Sequence, residues 1–380
     1  KSKIVLGICL TFSSLLTNAQ WTNINSLNVE NYKDLSFPSE LNGYSIIDLW
    51  FTNEVYKSDD GGNSWSQLNI DISPATAPEF QSINFISDSI GFVLFRAQNA
   101  QSQLTSYIFK TTDGGNSWNN VTPATLPIGN GNADLYFVST TEGYATTGDY
   151  VFKTEDGGNV WSSNSILNSI YPVEIDFYDE NNGIIGAWDG TFAYKGILLT
   201  TSNAGQNWDT LFLPNNYSSI AAVDFASSNT AFAMNDAQWG NQYIYKTSNN
   251  GSTWDSITLT FLTDSSDRAM DLFFSDENNG YLSTSKGYIY ITEDGGNTWL
   301  IDYFDGDYLD VIETNGTSIF VGGGDSTLLK YTLSTVDGLL ENNTTQLKVY
   351  PNPCSSNSNL QFTEPLHGRT TILNIQGQVV

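Results

Sequence analysis

One eight-residue motif ending in tryptophan recurs six times along this chain and limits it to very few architectures. The first copy is Ser58-Asp59-Asp60-Gly61-Gly62-Asn63-Ser64-Trp65, and the others run Thr111 to Trp118, Thr154 to Trp161, Thr201 to Trp208, Thr247 to Trp254 and Thr292 to Trp299. Successive tryptophans lie 53, 43, 47, 46 and 45 residues apart. That period suits a four-stranded propeller blade rather than a helical pair.

The motif is hairpin chemistry. At its centre stand Asp60, Asp113, Asp156, Asn203, Asn249 and Asp294, whose side-chain oxygens can accept the N–H groups of their own turn. The two asparagines keep that acceptor and drop the charge. Residues used to close every hairpin do not make one active site, so these six are expected to be structural. A second column supports the same blades: Phe37, Phe85, Phe137, Phe177, Phe225 and Phe274 each stand six residues before Gly43, Gly91, Gly143, Gly183, Ala231 and Gly280. Two residues ahead of each Phe is Leu, Ile or Val, the spacing of one face of a strand. Each unit therefore reads as strand A through the Phe, strand B from the Gly, strand C into the motif, and strand D from the Trp.

A seventh unit begins at Tyr308 and runs through Tyr331 without a box or a Trp strand, while Gln20-Trp21-Thr22-Asn23-Ile24 resembles a strand D with no blade before it. Joining the two ends would close a ring and remove open sheet edges. The expectation is an all-β fold, a seven-bladed β-propeller of four-stranded blades closed by the N-terminal strand, with a partial β-sandwich tail.

Ser/Thr-x-Asp-x-Gly-x-x-Trp resembles the Asp-box of sialidase-like and related bacterial propellers. Over residues 20 to 331 the blade pattern also resembles the photosystem II assembly-factor group and the wider BNR repeats. The shared positions are scaffold, so the resemblance implies a fold and not a function.

Lys and Arg number 14 against 41 Asp and Glu, a net charge of −27. Such a surface repels nucleic acid and anionic membranes. Scattered carboxylates would suit calcium, yet no loop of recognised ligand spacing occurs, and no cofactor is expected. His367 lies in the tail, which leaves the propeller without a His-based metal site or a Ser-His-Asp relay.

Lys1 and Lys3, the apolar run from Ile4 to Leu10, and Thr17-Asn18-Ala19 follow the order of a secretory signal peptide over residues 1–19. It is too short for a transmembrane anchor. Its removal takes two lysines and Cys9, leaving Cys354 as the remaining cysteine and a disulfide-free propeller. Residues 332–346 are a polar linker. Residues 347–380 carry Tyr350-Pro351-Asn352-Pro353 and Ile375-Gln376-Gly377-Gln378-Val379-Val380, which resemble the opening of a type IX secretion sorting domain. That resemblance implies a bacterium of the Bacteroidota kind, export to the surface or medium, and the secretion machinery as a partner. The chain reads as a piece of a longer protein.

In four-stranded blades the A-to-B and C-to-D turns share one face, so the Asp-boxes are expected there. The other face receives the B-to-C loops, with Trp50, Trp188 and Trp239, and the entrances of strand A, with Asp34, Asp134, Glu174, Asp271 and Asp310, each placed three residues ahead of the Phe column or its equivalent. Indoles and carboxylates suit a glycan, and propeller ligands commonly lie over the central channel; loop tryptophans packing on a neighbouring blade, and aspartates merely capping turns, are the structural alternative. The function expected is a secreted or surface binding module for glycan or protein, with a two-carboxylate glycoside hydrolase as the alternative. A sialidase is excluded, because that family clamps its substrate with three arginines and the propeller offers Arg96 and Arg268.

Overall fold

The computed structural model describes residues 21–333, except 25–26, 28, 50–51, 124–125, 127–132, 166–168, 192–194, 214–217, 237–240, 261, 263–265 and 305, and the main chain of Lys348–Tyr350 and Asn359–Gln361. It divides into two units, Trp21–Tyr331 and a second formed by Lys1–Gln20 with Thr332–Val380. In the second unit Lys348–Tyr350 pairs antiparallel with Asn359–Gln361. Residues 1–19, Pro351-Asn352-Pro353 and 375–380 lie outside the described residues.

The first unit is seven four-stranded antiparallel sheets, with no helix among the described residues. Blade 1 has strand A at Asn31–Ser36, B at Gly43–Leu49, C at Thr52–Ser58 and D at Ser66–Gln67. Strands A of the next blades are Thr76–Phe85, Ala133–Phe137, Tyr171–Phe177, Ile220–Phe225, Ala269–Phe274 and Leu309–Thr314. They stand side by side around the axis, and that of blade 7 touches that of blade 1.

The ring closes as the orphan N-terminal strand predicts. Thr22 and Asn23 pair with Lys330 and Leu329 of strand C in blade 7, and Ile24 N–H reaches the Leu328 carbonyl at 2.9 Å. Trp21 is buried, donates from its indole to Asp302 at 2.8 Å, and meets the Tyr331 ring at 5.2 Å.

The Phe–Gly column has a packing cause. Phe85 and Gly91 are register partners, and a Cβ on Gly91 would come within 2.4 Å of the Phe85 ring. The other face of that ring stacks on Tyr44 of the preceding blade at 3.3 Å, while Trp118 of its own Asp-box meets its edge at 6.1 Å. The same triad recurs at Phe37, Phe137, Phe177 and Phe274. In blade 5, Ala231 replaces the glycine and Ile184 the aromatic partner; there Phe225 is half-buried and meets Tyr178 instead.

Candidate functional site

Strands A line a central channel of about 480 Å³. Inner strands of neighbouring blades do not pair with each other, so their axial N–H groups need other acceptors. Carboxylates supply them. Asp34 accepts from Leu35 at 2.8 Å and from Ile83 of the next blade at 2.7 Å. Asp134 does the same for Leu135 and Ile175, and Asp271 for Leu272 and Ile312. Two residues further along the strand, Asp176 bridges Phe177 and Phe225, Asp224 accepts from Phe274, and Glu313 accepts from Phe37 across the closing joint. Ser36 and Asn84 do this work without charge, on Phe85 and Phe137.

Glu174 lines the same channel in blade 4. No Lys or Arg is among the lining residues. Burial, offset by the main-chain donors and reinforced by neighbouring carboxylates, pushes Asp34 up to about 8. Burial likewise raises Glu313 to about 8, Asp271 to about 7 and Asp176 to about 6, and it raises Asp134, Glu174 and Asp224.

Asp310 departs from the position expected for it. The register shift between Leu309 and Val311 is the one that also falls between Tyr32 and Asp34 and between Ala269 and Asp271, so Val311, opposite Gly322, takes the place that Asp34 and Asp271 hold opposite Ile46 and Ser283, and Asp310 falls at the bulge, where Lys33 and Met270 stand. Asp310 instead accepts from Tyr308 Oη at 2.9 Å and Asn31 Nδ2 at 3.1 Å, outside the ring of clamps. Burial raises its pKa.

The channel opens, on the face of the strand A entrances, into a mouth of about 540 Å³. Asp34, Asp134, Glu174, Asp271 and Asp310 all reach it, together with Lys33, Asp236, Arg268 and Tyr308. Lys33 donates to the Phe80 carbonyl at 2.9 Å, and Arg268 lies 3.9 Å from Asp236, with two-fifths of its side chain exposed. Trp188 ends strand B of blade 4 on this same face but is not part of the mouth; it stacks on Tyr171 at 4.9 Å. Trp50 and Trp239 lie outside the described residues. The sequence pattern did not single out Asp176, Asp224 and Glu313, although Asp176 and Glu313 stand close to the acidic column along their strands.

The Asp-boxes occupy the opposite face. Asp60 Oδ1 accepts from Ser64 N–H at 2.7 Å and its Oδ2 from Ser64 Oγ at 2.6 Å, while Trp65 Nε1 donates to the Gly62 carbonyl. These bonds hold Asp60, Asp113, Asp156 and Asp294 below the usual carboxylate range. Asn203 and Asn249 accept the equivalent N–H groups at 3.0 and 2.9 Å. Gly61 N–H bonds the Leu41 carbonyl, which ties the box to the A-to-B turn.

Lysines staple this face. Lys110 Nζ lies over the Phe92 ring and donates to Gly157 of the next blade at 2.7 Å, as Lys246 does over Phe232 to Gly295. Among the described residues no group of three or more His, Cys, Asp or Glu is arranged to hold a metal ion.

Residues 122–263 match the family described as Photosynthesis system II assembly factor YCF48. Two solved structures of that name are similar throughout the ring. "YCF48 bound to D1 peptide" is 18% identical at TM-score 0.63, over 82% of this chain and 97% of that one. YCF48 from Cyanidioschyzon merolae is 19% identical at 0.60, over 82% and 98%. The Niastella koreensis GH74 enzyme is 16% identical at 0.58, over 87% of this chain and 56% of that one, so this chain spans little more than half its length. At these identities the likeness is one of fold. No curated protein matches the chain.

Proposed function

We propose that this chain is a binding module whose partner, a glycan or a protein, sits over the channel mouth on the face opposite the Asp-boxes. The observation that carries this reading is the division of labour among the acidic residues. Asp34, Asp134 and Asp271 hold both carboxyl oxygens on main-chain N–H groups, so as a group they serve poorly as a nucleophile and acid. The polar rim above them, with Arg268, Asp236, Tyr308 and Asp310, presents donors and acceptors in a concave surface, which suits recognition. A propeller of similar fold, YCF48, binds a D1 peptide, and this supports a protein partner. Export through the signal peptide and a type IX sorting tail belongs to the same proposal and is checked by locating the full-length protein in cell fractions and medium.

Binding and hydrolysis measured side by side on a panel of polysaccharides and peptides test the module. Retention without turnover, weakened by Arg268→Ala or Tyr308→Ala, is the expected result. Interactions untouched by both place the site elsewhere. Polysaccharide hydrolysis is the second reading, favoured by the fold shared with the GH74 enzyme; turnover abolished by a single Asp→Asn change would establish it.

A further inference from the structure

The channel carboxylates stand in two tiers. Asp34, Asp134, Glu174 and Asp271 lie three residues ahead of the column position, and Asp176, Asp224 and Glu313 lie one ahead of it. Alternate residues of a strand share a face, so the tiers are about 6.5 Å apart along the strands. Within the first tier Glu174 stands apart. Asp34, Asp134 and Asp271 each clamp two main-chain N–H groups, whereas the Glu174 carboxyl, enclosed by the ring and facing the channel, accepts no hydrogen bond among the described residues. Asp271, Asp134, Asp176 and Asp224 all repel its charge.

An enclosed carboxylate without a donor or a countercharge is costly. No Lys or Arg lines the channel to offset it. Lys33 and Arg268 stand at the mouth with Asp236, Tyr308 and Asp310; Lys33 is bonded to the Phe80 carbonyl, and Arg268 lies 3.9 Å from Asp236. Tyr136 and Tyr178 complete the titratable lining, and Tyr136 donates to the Phe177 carbonyl at 3.0 Å. The unmet need in the channel is positive charge.

We propose that the channel below the mouth binds a linear aliphatic diammonium ion, with one nitrogen in the tier of Glu174 and the other in the tier of Asp176, Asp224 and Glu313. The site lies beneath any partner at the mouth and goes beyond the reading of that face. Chemistry favours an amine over a metal ion. A hard cation needs several oxygens converging at about 2.3–2.6 Å, and no such group exists among the described residues. Carboxylates that already accept main-chain N–H groups keep free lone pairs for further N–H donors. Spacing favours two charges over one, because extended diaminobutane holds its nitrogens about as far apart as the tiers stand. A lysine side chain entering from above brings one ammonium and serves one tier. The channel, at about 480 Å³, has room for the ligand with water, and it shares Asp34, Asp134, Glu174 and Asp271 with the mouth, which gives a way in. Protons compete with the ligand. Burial raises Asp34 and Glu313 to about 8, Asp271 to about 7 and Asp176 to about 6, while alkylamines stay charged to about pH 10. Affinity is therefore greatest above pH 8 and falls as pH drops from 8 to 6.

The test titrates the full chain with diaminobutane in a calorimeter at constant ionic strength, with butylamine and magnesium as comparison probes. At pH 8.5 the proposal expects saturable binding of diaminobutane, about tenfold tighter than butylamine, and a raised melting temperature. At pH 5.5 the affinity should be about tenfold lower, and near pH 7 binding should release protons, read as a heat that changes with the ionisation heat of the buffer. Glu174→Gln in one tier, and Asp224→Asn in the other, which keeps an acceptor for Phe274, should each weaken diaminobutane about tenfold and narrow its advantage over butylamine. Asp209→Asn, at an exposed position on strand D of blade 4, should change nothing. Equal losses in the channel and surface variants mean general attraction to a chain of net charge −27 and overturn the proposal. So do butylamine or magnesium binding as tightly as diaminobutane, an affinity unchanged at pH 5.5, or no saturable binding at pH 8.5. The polysaccharide and peptide panel decides the mouth separately.

Discussion

The channel aspartates show how one residue type can serve the fold while looking like a site. Asp134 holds Leu135 and Ile175, in two different blades, at 2.7 and 3.0 Å. Asp134→Ala leaves two inward N–H groups without an acceptor and should cost about 1–3 kcal/mol at pH 5. The loss should be smaller at pH 8.5, where removing the side chain also removes a buried charge; urea unfolding at the two pH values checks both. An equal loss at both would mean that charge burial does not matter there. A packing counterpart is Gly91→Ala, whose methyl would meet the Phe85 ring. Overpacking of about 1–3 kcal/mol is expected, read as a lower denaturation midpoint with an unchanged slope. The Phe–Gly column was legible in the sequence because each blade repeats it. The clamps were legible only as carboxylates near a channel, since their partners lie in the next blade, about a whole repeat away. Asp310 was misplaced for another local reason: blade 7 has no column Phe to set the count, and Glu313, opposite Phe320 as Ser36 is opposite Tyr44, makes Thr314 the column position, four residues beyond Asp310.

At the scale of elements, the strand of greatest consequence is also one of the shortest. Thr22–Asn23 has two residues, yet it completes blade 7 and joins the chain ends. Trp21 anchors it among Tyr281, Tyr303 and Tyr331, with its indole on Asp302. Trp21→Ala should cost about 3–5 kcal/mol, the usual loss for a buried large aromatic. It should also expose blade 7 to proteolysis before the other blades, and uniform digestion of all blades would show that the closure is not what Trp21 secures. The orphan strand was legible because a box-less unit at one end and a Trp strand at the other are complementary halves of one repeat. The early end of strand D in blade 1, at Gln67, was not, because no motif carries the point where it stops. Both facts concern where hydrogen-bond ladders stop, which a repeating pattern of side chains does not record.

The ring as a whole concentrates negative charge where water is scarce. Asp34, Asp134, Glu174, Asp176, Asp224, Asp271 and Glu313 face one channel whose lining carries no Lys or Arg. All seven carboxyls are raised by burial, four of them to values of about 6 to 8. Each is half-buried rather than sealed, so channel water moderates the penalty without removing it. In the unfolded chain these groups ionise near pH 4. A folded-state value above the unfolded one favours the native state fully below pH 4, and that advantage is lost as pH rises through the folded values. The melting temperature should therefore fall between pH 5 and about 8.5 and level off above that. Raising salt to about 0.5 M, where screening shortens to a few Å, should recover part of the loss at pH 8.5 and little at pH 5. Glu313→Gln, which keeps an acceptor for Phe37 across the closing joint, should flatten the slope. Calorimetric scans across this range decide it: a melting temperature that rises with pH would mean that the main-chain donors outweigh burial and that the ring is held by carboxylates in their charged form.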